Sequence, residues 1–332
     1  MTVYPLKFEP VFLEKIWGGT HLSRLFPGKY IPSEKNTGEI WELSARDDHP
    51  SVVLNGPFEG KTFGDLISEY GEAVAGKRAL EAGRGNFPLL YKFLDAAGLL
   101  SVQVHPEDSY AQEYANDLGK MEAWYILDAE EDARIVKGLK PGYGKDDFKK
   151  LLEEERLDEC LNTFSVSPGD VVFIPPKTLH TLGSGVLLFE IQQSSDVTYR
   201  AYDWGRTGSD GKSRELHVDH VFRVADFNPP ANTVEPIERP DQEEYITALI
   251  NCPRFVLEEV KAVSDVRICV PGDRFIAVTA LRGNGTLLSS SDTQYAVGDT
   301  ILLPPGLECV LSPRSETLLL LSYVPPAVCW NT

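Results

Sequence analysis

The sequence predicts a mainly β chain with a few helices, folded as two jelly-roll β-barrels of which the first carries a metal site. Three observations lead there. Short apolar runs that alternate in strand fashion, punctuated by Gly and Pro, fill residues 1–60 and return from Phe164 to Tyr199. A histidine, a carboxylate and a second histidine stand at the ends of three such runs, at His105, Glu122 and His180. The segment Gly169-Asp170-Val171-Val172-Phe173-Ile174-Pro175-Pro176 is echoed by Gly298-Asp299-Thr300-Ile301-Leu302-Leu303-Pro304-Pro305, so the last third of the chain repeats an earlier plan.

Taken in order, Trp17-Gly18-Gly19 is a tight turn with a large side chain to bury. Gly38 to Ser44 alternates, so Glu39, Trp41 and Leu43 share one face while Ile40, Glu42 and Ser44 share the other. Glu42 and Ser44 either bond a substrate at the pocket edge or form the wet face of an edge strand. Thr62 to Ala82 reads as a helix, with a Thr cap and Phe63, Leu66, Ile67 and Tyr70 at helical spacing. A second helix is expected within 106–118, opened by Pro106, and a third from Lys145 to about Glu155, where Phe148, Leu151 and Leu152 form an apolar stripe. These insertions (about 62–85, 106–118 and 145–156) are expected to cluster as a small helical cap beside the first barrel.

The first barrel is assigned residues 1–225. Pro229, Pro230, Pro236 and Pro240 mark 226–242 as a linker, and 243–332 form the second barrel. There, the step of five residues that leads from Pro175 to His180 leads instead from Pro304 to Cys309, and Phe275 to Gly285 offers no His or Glu. The second barrel is expected to keep the turns without the metal, with Cys309 a buried thiol.

The chemistry centres on Leu99-Leu100-Ser101-Val102-Gln103-Val104-His105-Pro106, a short strand stopped by proline. Ser101, Gln103 and His105 point one way and Leu100, Val102 and Val104 the other. A lone histidine at a strand end is more often a structural residue. Two later stretches change the balance: Glu122 opens another strand-like run, and Pro175-Pro176-x-x-x-His180 is how a small barrel of the cupin type commonly delivers its last ligand. Gln103, His105, Glu122 and His180 make a mixed N/O set that suits Zn²⁺ or another divalent first-row ion and leaves room for water or substrate oxygens. His217 and His220 are spaced like two ligands on one helical turn but lack a third nearby, so they read as structural. His21 and His49 show no partner.

Six segments occur in order: Gly38-Glu39-Ile40-Trp41-Glu42-Leu43-Ser44, Phe87 to Ala96, Ser101 to Pro106, Lys120-x-Glu122, Pro175 to His180, and Asp196-Val197-Thr198-Tyr199-Arg200-Ala201-Tyr202-Asp203. Together they resemble the type I mannose-6-phosphate isomerases in their short bacterial form, from Trp17 to about Arg206 and more loosely beyond. The resemblance implies an aldose–ketose isomerase that interconverts mannose 6-phosphate and fructose 6-phosphate through an enediol(ate). It implies that Gln103, His105, Glu122 and His180 hold one zinc ion, that Arg200 is an essential arginine, that Lys120 is an active-site lysine and that Ser101 lies near the phosphate. It leaves the base open. Glu190 is favoured over its rival Lys120, against the plainer reading that Glu190 only orients a ligand.

Composition sets the remaining bounds. At 332 residues and 42% hydrophobic, the chain can bury two cores. A formal charge of −18 argues against nucleic acid and otherwise serves solubility. A sugar phosphate then needs a local basic pocket, for which Lys92, Lys120 and Arg200 are the candidates. No apolar run is long enough to span a membrane. Five scattered cysteines without a Cys-x-x-Cys, and no signal-peptide layout at the start, suggest a reduced, cytoplasmic protein, monomeric or weakly dimeric. Two other readings are a non-catalytic metal- or sugar-binding cupin, which needs neither Lys120 nor Arg200, and another cupin-type sugar-phosphate isomerase, in which a His-x-His pair would replace Gln103-x-His105.

Overall fold

The computed structural model describes residues 4–32, 36–207, 211–228 and 245–325. Every strand pairing in its four sheets is antiparallel, and the sheets group as two barrels. In the first barrel a six-stranded sheet runs in the order Val171–Ile174, Glu122–Ala129, Val186–Gln193, Leu89–Ala96, Val11–Gly19, Thr37–Leu43. It faces a five-stranded sheet ordered Tyr199–Tyr202, Val102–Val104, His180–Leu182, Arg134–Leu139, Leu161–Ser165. Apolar side chains from both, including Leu94, Ile126, Ile135, Leu182 and Leu188, fill the space between them.

The two central strands of the six-stranded sheet, Leu89–Ala96 and Val186–Gln193, are buried along their whole length. One face looks into the first barrel, and the other packs on the seven-stranded sheet of the second. Tyr91, Phe93, Phe189 and Ile191 share a core there with Leu257, Phe275, Ala277, Leu302 and Leu320. Phe63, Phe87 and Phe275 stack in series across this junction, with ring centroids 4.7 and 4.6 Å apart. Each fully buried Phe contributes about 1.5–3 kcal/mol, against about 0–1 kcal/mol for an exposed ion pair, so apolar packing dominates the union of the barrels.

The N-terminal strand Leu6–Glu9 does not stay with the barrel that follows it. It pairs with Thr300–Leu303, Leu6 opposite Leu302, and so lies in the second barrel's sheet. The assignment of residues 1–225 to the first barrel therefore needs correction at its start, because the apolar face of Leu6 and Phe8 is buried in the inter-barrel core. Most of the proline-rich stretch 226–242 lies outside the described residues.

The helices form close to where they were expected but not as one cluster. Thr62 caps Phe63–Val74, its hydroxyl accepting from the Asp65 amide at 3.1 Å. The expected single helix breaks at Gly76, whose φ of +88° is a left-handed conformation, and resumes as Lys77–Ala82. This pair packs into the inter-barrel core. Lys145–Glu153 instead buries Phe148 and Leu151 against Val102, Val104 and Leu161, on the outer face of the five-stranded sheet. Asp108–Ala115 ends at Asn116 in the left-handed region and lies beside the same face through Tyr110.

The internal echo extends to hydrogen bonds. Gly169 and Gly298 both have positive φ, of +92° and +88°. Asp170 accepts from the Ser167 amide and Asp299 from the Ala296 amide, at 2.7 and 2.9 Å. By strand register Ile174 faces Glu122 and its counterpart Leu303 faces Ile276, so Ile276 stands where the first barrel has Glu122. Cys309 is buried, and burial pushes its thiol up to about 11.

Candidate active site

Strand alternation puts Gln103 and His105 on one face of Val102–Val104 and its continuation, and strand pairing supplies their neighbours. Gln103 lies opposite His180 on one side and opposite Arg200 on the other, so all three side chains share the face turned into the first barrel. From the facing sheet, Glu122 arrives at the start of its strand. Donor atoms of His105, Glu122 and His180 lie within 4.8 Å of one another, all three side chains buried.

The local bonding suits a metal. His105 Nδ1 is 3.0 Å from the Val197 carbonyl and His180 Nδ1 is 2.9 Å from the Thr178 carbonyl. Each Nδ1–H therefore donates to backbone, leaving each Nε2 as a bare lone pair aimed at the cluster. Burial is the main cause that drives His105 down to about 3 and moves His180 in the same direction, so both rings are neutral. Glu122 Oε2 lies 3.4 Å from His105 Nε2, and Oε1 lies 3.3 Å from His180 Nε2. Two imidazole nitrogens and a carboxylate this close are a donor set that would fit a divalent first-row ion. Burial would raise the Glu122 carboxyl, but the Lys120 ammonium outweighs it and holds it well below its ordinary value. Among the described residues neither Glu122 oxygen has a well-aligned hydrogen-bond donor. Gln103 lies beside this set: its amide nitrogen is 3.3 Å from His180 Nε2, and a half-turn of the amide would present Oε1 instead.

Lys120 enters the same cluster, its ammonium 2.9 Å from both His105 Nε2 and Glu122 Oε2. Beside it, strand register sets a row across the six-stranded sheet: Trp41 opposite Lys92, Lys92 opposite Glu190, Glu190 opposite Trp124. Glu190 accepts from the Trp124 indole at 3.0 Å and sits 3.4 Å from the Lys92 ammonium. Burial, then the Glu122 charge, pushes the Glu190 carboxyl up. Lys92 also faces Glu39, 3.7 Å away. Burial would raise Glu39 as well, but Lys92, Lys15 and the Trp41 indole bring it down to about 2.

Lys120, Lys92, Glu190, Trp124 and Glu39 line a cleft of about 110 Å³ together with Ser101, Gln103, Lys15, Asp196, Arg200 and Arg214. Its basic lining, Lys15, Lys92, Lys120, Arg200 and Arg214, outnumbers the carboxylates Glu39, Glu190 and Asp196, which reverses locally the sign of a strongly acidic chain. Arg200 Nε is buried without a partner among the described residues. A larger cavity of about 530 Å³, bordered by Arg46, Asp48 and Asp117, contains none of these groups.

A sequence profile of the family described as phosphomannose isomerase type I, catalytic domain, matches residues 6–133. The mannose-6-phosphate isomerase ManA of Bacillus subtilis is 39% identical over 329 residues, covering 94% of this chain and 99% of the relative. The chain belongs to the type I phosphomannose isomerase family. A mannose-6-phosphate isomerase of Streptococcus mutans is 36% identical, covering 89% of this chain and 92% of its own. A crystal structure of mannose 6-phosphate isomerase from Bacillus subtilis superposes with a TM-score of 0.85 at 32% identity, covering 96% of this chain and 99% of that one. The chain thus has the family's fold and is an isomerase of this family.

Within this isomerase, Ser101, Gln103, Lys92, Lys120, Glu190 and Arg200 border one cleft, and His105, Glu122 and His180 adjoin it through Lys120 and Gln103. Glu42 and Ser44 do not. Glu42 lies on the far face of its strand, where it takes two contacts of 2.6 Å from the Lys29 ammonium and Lys29 also donates to the Gly298 carbonyl of the second barrel, and a register shift after Trp41 turns Leu43 to that same inter-barrel core rather than to the side of Trp41. Ser44 is buried and accepts from the Arg46 amide. Neither is wet and neither borders the cleft; Glu39, one face over, does. The sequence reading also passed over Lys15, Asp196 and Arg214. Lys15 shares strand parity with Trp17 and was legible from it, whereas Arg214 returns through a turn that local patterning does not describe. Asp203 anchors that return, binding Arg206 and receiving the Arg214 guanidinium on both oxygens, at 2.8 and 2.5 Å. His217 and His220 are structural, His217 accepting from the Arg200 amide and His220 stacked on Tyr199. Among the described residues no helix is long and apolar enough to cross a membrane.

Proposed function

We propose that this chain interconverts mannose 6-phosphate and fructose 6-phosphate with one zinc ion held by His105, Glu122, His180 and the amide oxygen of Gln103. The observation that carries the reading is the convergence of two unprotonated imidazole nitrogens and the buried Glu122 carboxylate next to Lys120, Glu190 and Arg200. When bound, a divalent ion supplies electrostatic stabilisation of charge on a sugar oxygen without redox chemistry.

Glu190 moves the proton. Its raised carboxyl is matched to a base that takes the proton from C2 of the aldose and returns it to C1, while the O2 hydroxyl gives up its proton and the O1 carbonyl oxygen gains one to leave the ketose. Lys120 donates to the sugar oxygen on which charge develops, and Arg200 stabilises the enediolate. Ser101 and the basic lining of the cleft receive the phosphate. Lys92 holds Glu190 in place, and the buried pair of indoles on either side keeps water from the reacting carbons. The four described cysteines are unpaired, which supports a reducing, cytoplasmic setting.

The test is metal content together with isomerisation of mannose 6-phosphate, before and after chelation, for wild type and His105→Ala. Activity that vanishes with the metal, returns with Zn²⁺ and is absent in His105→Ala is the expected result. A wild type that binds one ion per chain and turns over no hexose 6-phosphate sinks the proposal.

A further inference from the structure

The second barrel reaches the metal-bearing loop of the first through Arg254, in the turn between strands Ile246–Asn251 and Val256–Ala262. The Arg254 guanidinium donates to Oδ2 of Asp108, the first residue of helix Asp108–Ala115. The other oxygen of that carboxylate, Oδ1, accepts from the Gly119 amide at 2.8 Å and from the Gln193 side-chain amide at 3.0 Å. Gln193 in turn accepts from the Met121 amide at 3.0 Å, and the Lys120 amide donates to the Pro106 carbonyl at 3.0 Å.

Three consecutive backbone amides, those of Gly119, Lys120 and Met121, are therefore pinned by the segment 106–108 and by Gln193. The approach is close: a Cβ at Gly119 would lie 2.6 Å from the Asp108 nitrogen and 2.8 Å from the Glu107 carbonyl carbon. Lys120 and Glu122 leave this pinned stretch and enter the cluster with His105 and His180. Arg254 holds Oδ2 of Asp108 while Oδ1 faces the loop.

We propose that Arg254 is a positioning residue contributed by the second barrel, which orients Asp108 and through it fixes the Gly119–Met121 backbone that carries Lys120 and Glu122. This rests on the metal reading of the cluster and gives the metal-poor second barrel a part in the first barrel's site. As a partly exposed ion pair, Arg254–Asp108 adds modestly to global stability. Its effect is on the geometry of the ligand loop.

The test loads full-length protein with cobalt(II) and follows its absorption bands during transfer of the ion to a chelator. Arg254→Ala is expected to release cobalt about tenfold faster than wild type, the scale on which partners behind metal ligands act, and Arg254→Lys to recover most of the difference. Arg78→Ala, which removes the Arg78–Asp273 pair elsewhere on the same junction, is expected to release at the wild-type rate. Should Arg254→Ala not fold, Asp108→Asn carries the same expectation. An unchanged release rate in Arg254→Ala overturns the proposal. So does equal acceleration by Arg78→Ala, which would mean a general loosening of the junction. Cobalt release needs no substrate, so this outcome is read separately from whether the chain isomerises mannose 6-phosphate.

Discussion

Glu190 and Lys92 stand opposite each other on neighbouring strands, with 3.4 Å between carboxylate oxygen and ammonium, in a sheet buried on both faces. Each makes the other tolerable. Burial and the Glu122 charge push the Glu190 carboxyl up, and Lys92 limits the rise. Burial would pull Lys92 down, but Glu39 and Glu190 hold it above its ordinary value.

Removing that cation has a predictable sign. In Lys92→Gln the Glu190 carboxyl rises further, because an opposite charge that favoured its ionised form is lost. A base works only when ionised, so the acid limb of kcat/KM against pH moves to higher pH. An acid limb that stays where it is would show that Glu190 is not the base.

Arg200 lies beside Gln103 on the sheet but is not in the metal cluster. Arg200→Ala is expected to keep one metal ion per chain while kcat falls by about 10²–10³, the usual cost of losing a donor to developing negative charge. Arg200→Lys should recover little, because a point charge does not reproduce the planar fork. Loss of metal in Arg200→Ala would instead make the residue a structural part of the site.

Gly76 sits where the helical hairpin meets the second barrel. A Cβ there would lie 2.4 Å from the Asp273 carbonyl oxygen, and the backbone is left-handed. Gly76→Ala is expected to cost more than the about 1–2 kcal/mol of left-handed strain alone. Thermal or denaturant unfolding measures this, and a variant as stable as wild type contradicts the tightness of the junction.

The Asp203 carboxylate gives an acid-stability prediction. Burial would raise it, but hydrogen bonds from Arg214 and Arg206 outweigh burial and hold it below its ordinary value. The unfolded chain then binds the proton more readily, so the contribution is present above about pH 4 and is lost as pH falls through the depressed folded value. Asp203→Asn should lower stability at neutral pH and flatten its decline below pH 4. An unchanged acid slope would count against the linkage.

Local rules written in the chain determined a good deal. Strand parity set Ser101, Gln103 and His105 on one face and sent Val102 and Val104 to the other, where they pack on the outer helices, whereas Leu100, expected with them, precedes the strand and packs inside the first barrel. The repeated Gly-Asp turn, the Thr62 cap and the apolar stripe of Phe148 and Leu151 were equally local, since each depends on residues within one turn or one strand.

What tertiary structure alone decided was which face is inside and who stands alongside. Parity separates Glu39 from Glu42 but does not say which of them meets the cleft; pairing of Trp41 with Lys92 does, and it turns Glu42 toward Lys29 and the second barrel. The same holds for Arg200 beside Gln103, for Leu6 in the far sheet and for Arg254 on Asp108. The physical reason is that alternation is a property of one strand, whereas its sign is set by pairing between segments far apart in sequence and by the burial of one shared apolar face.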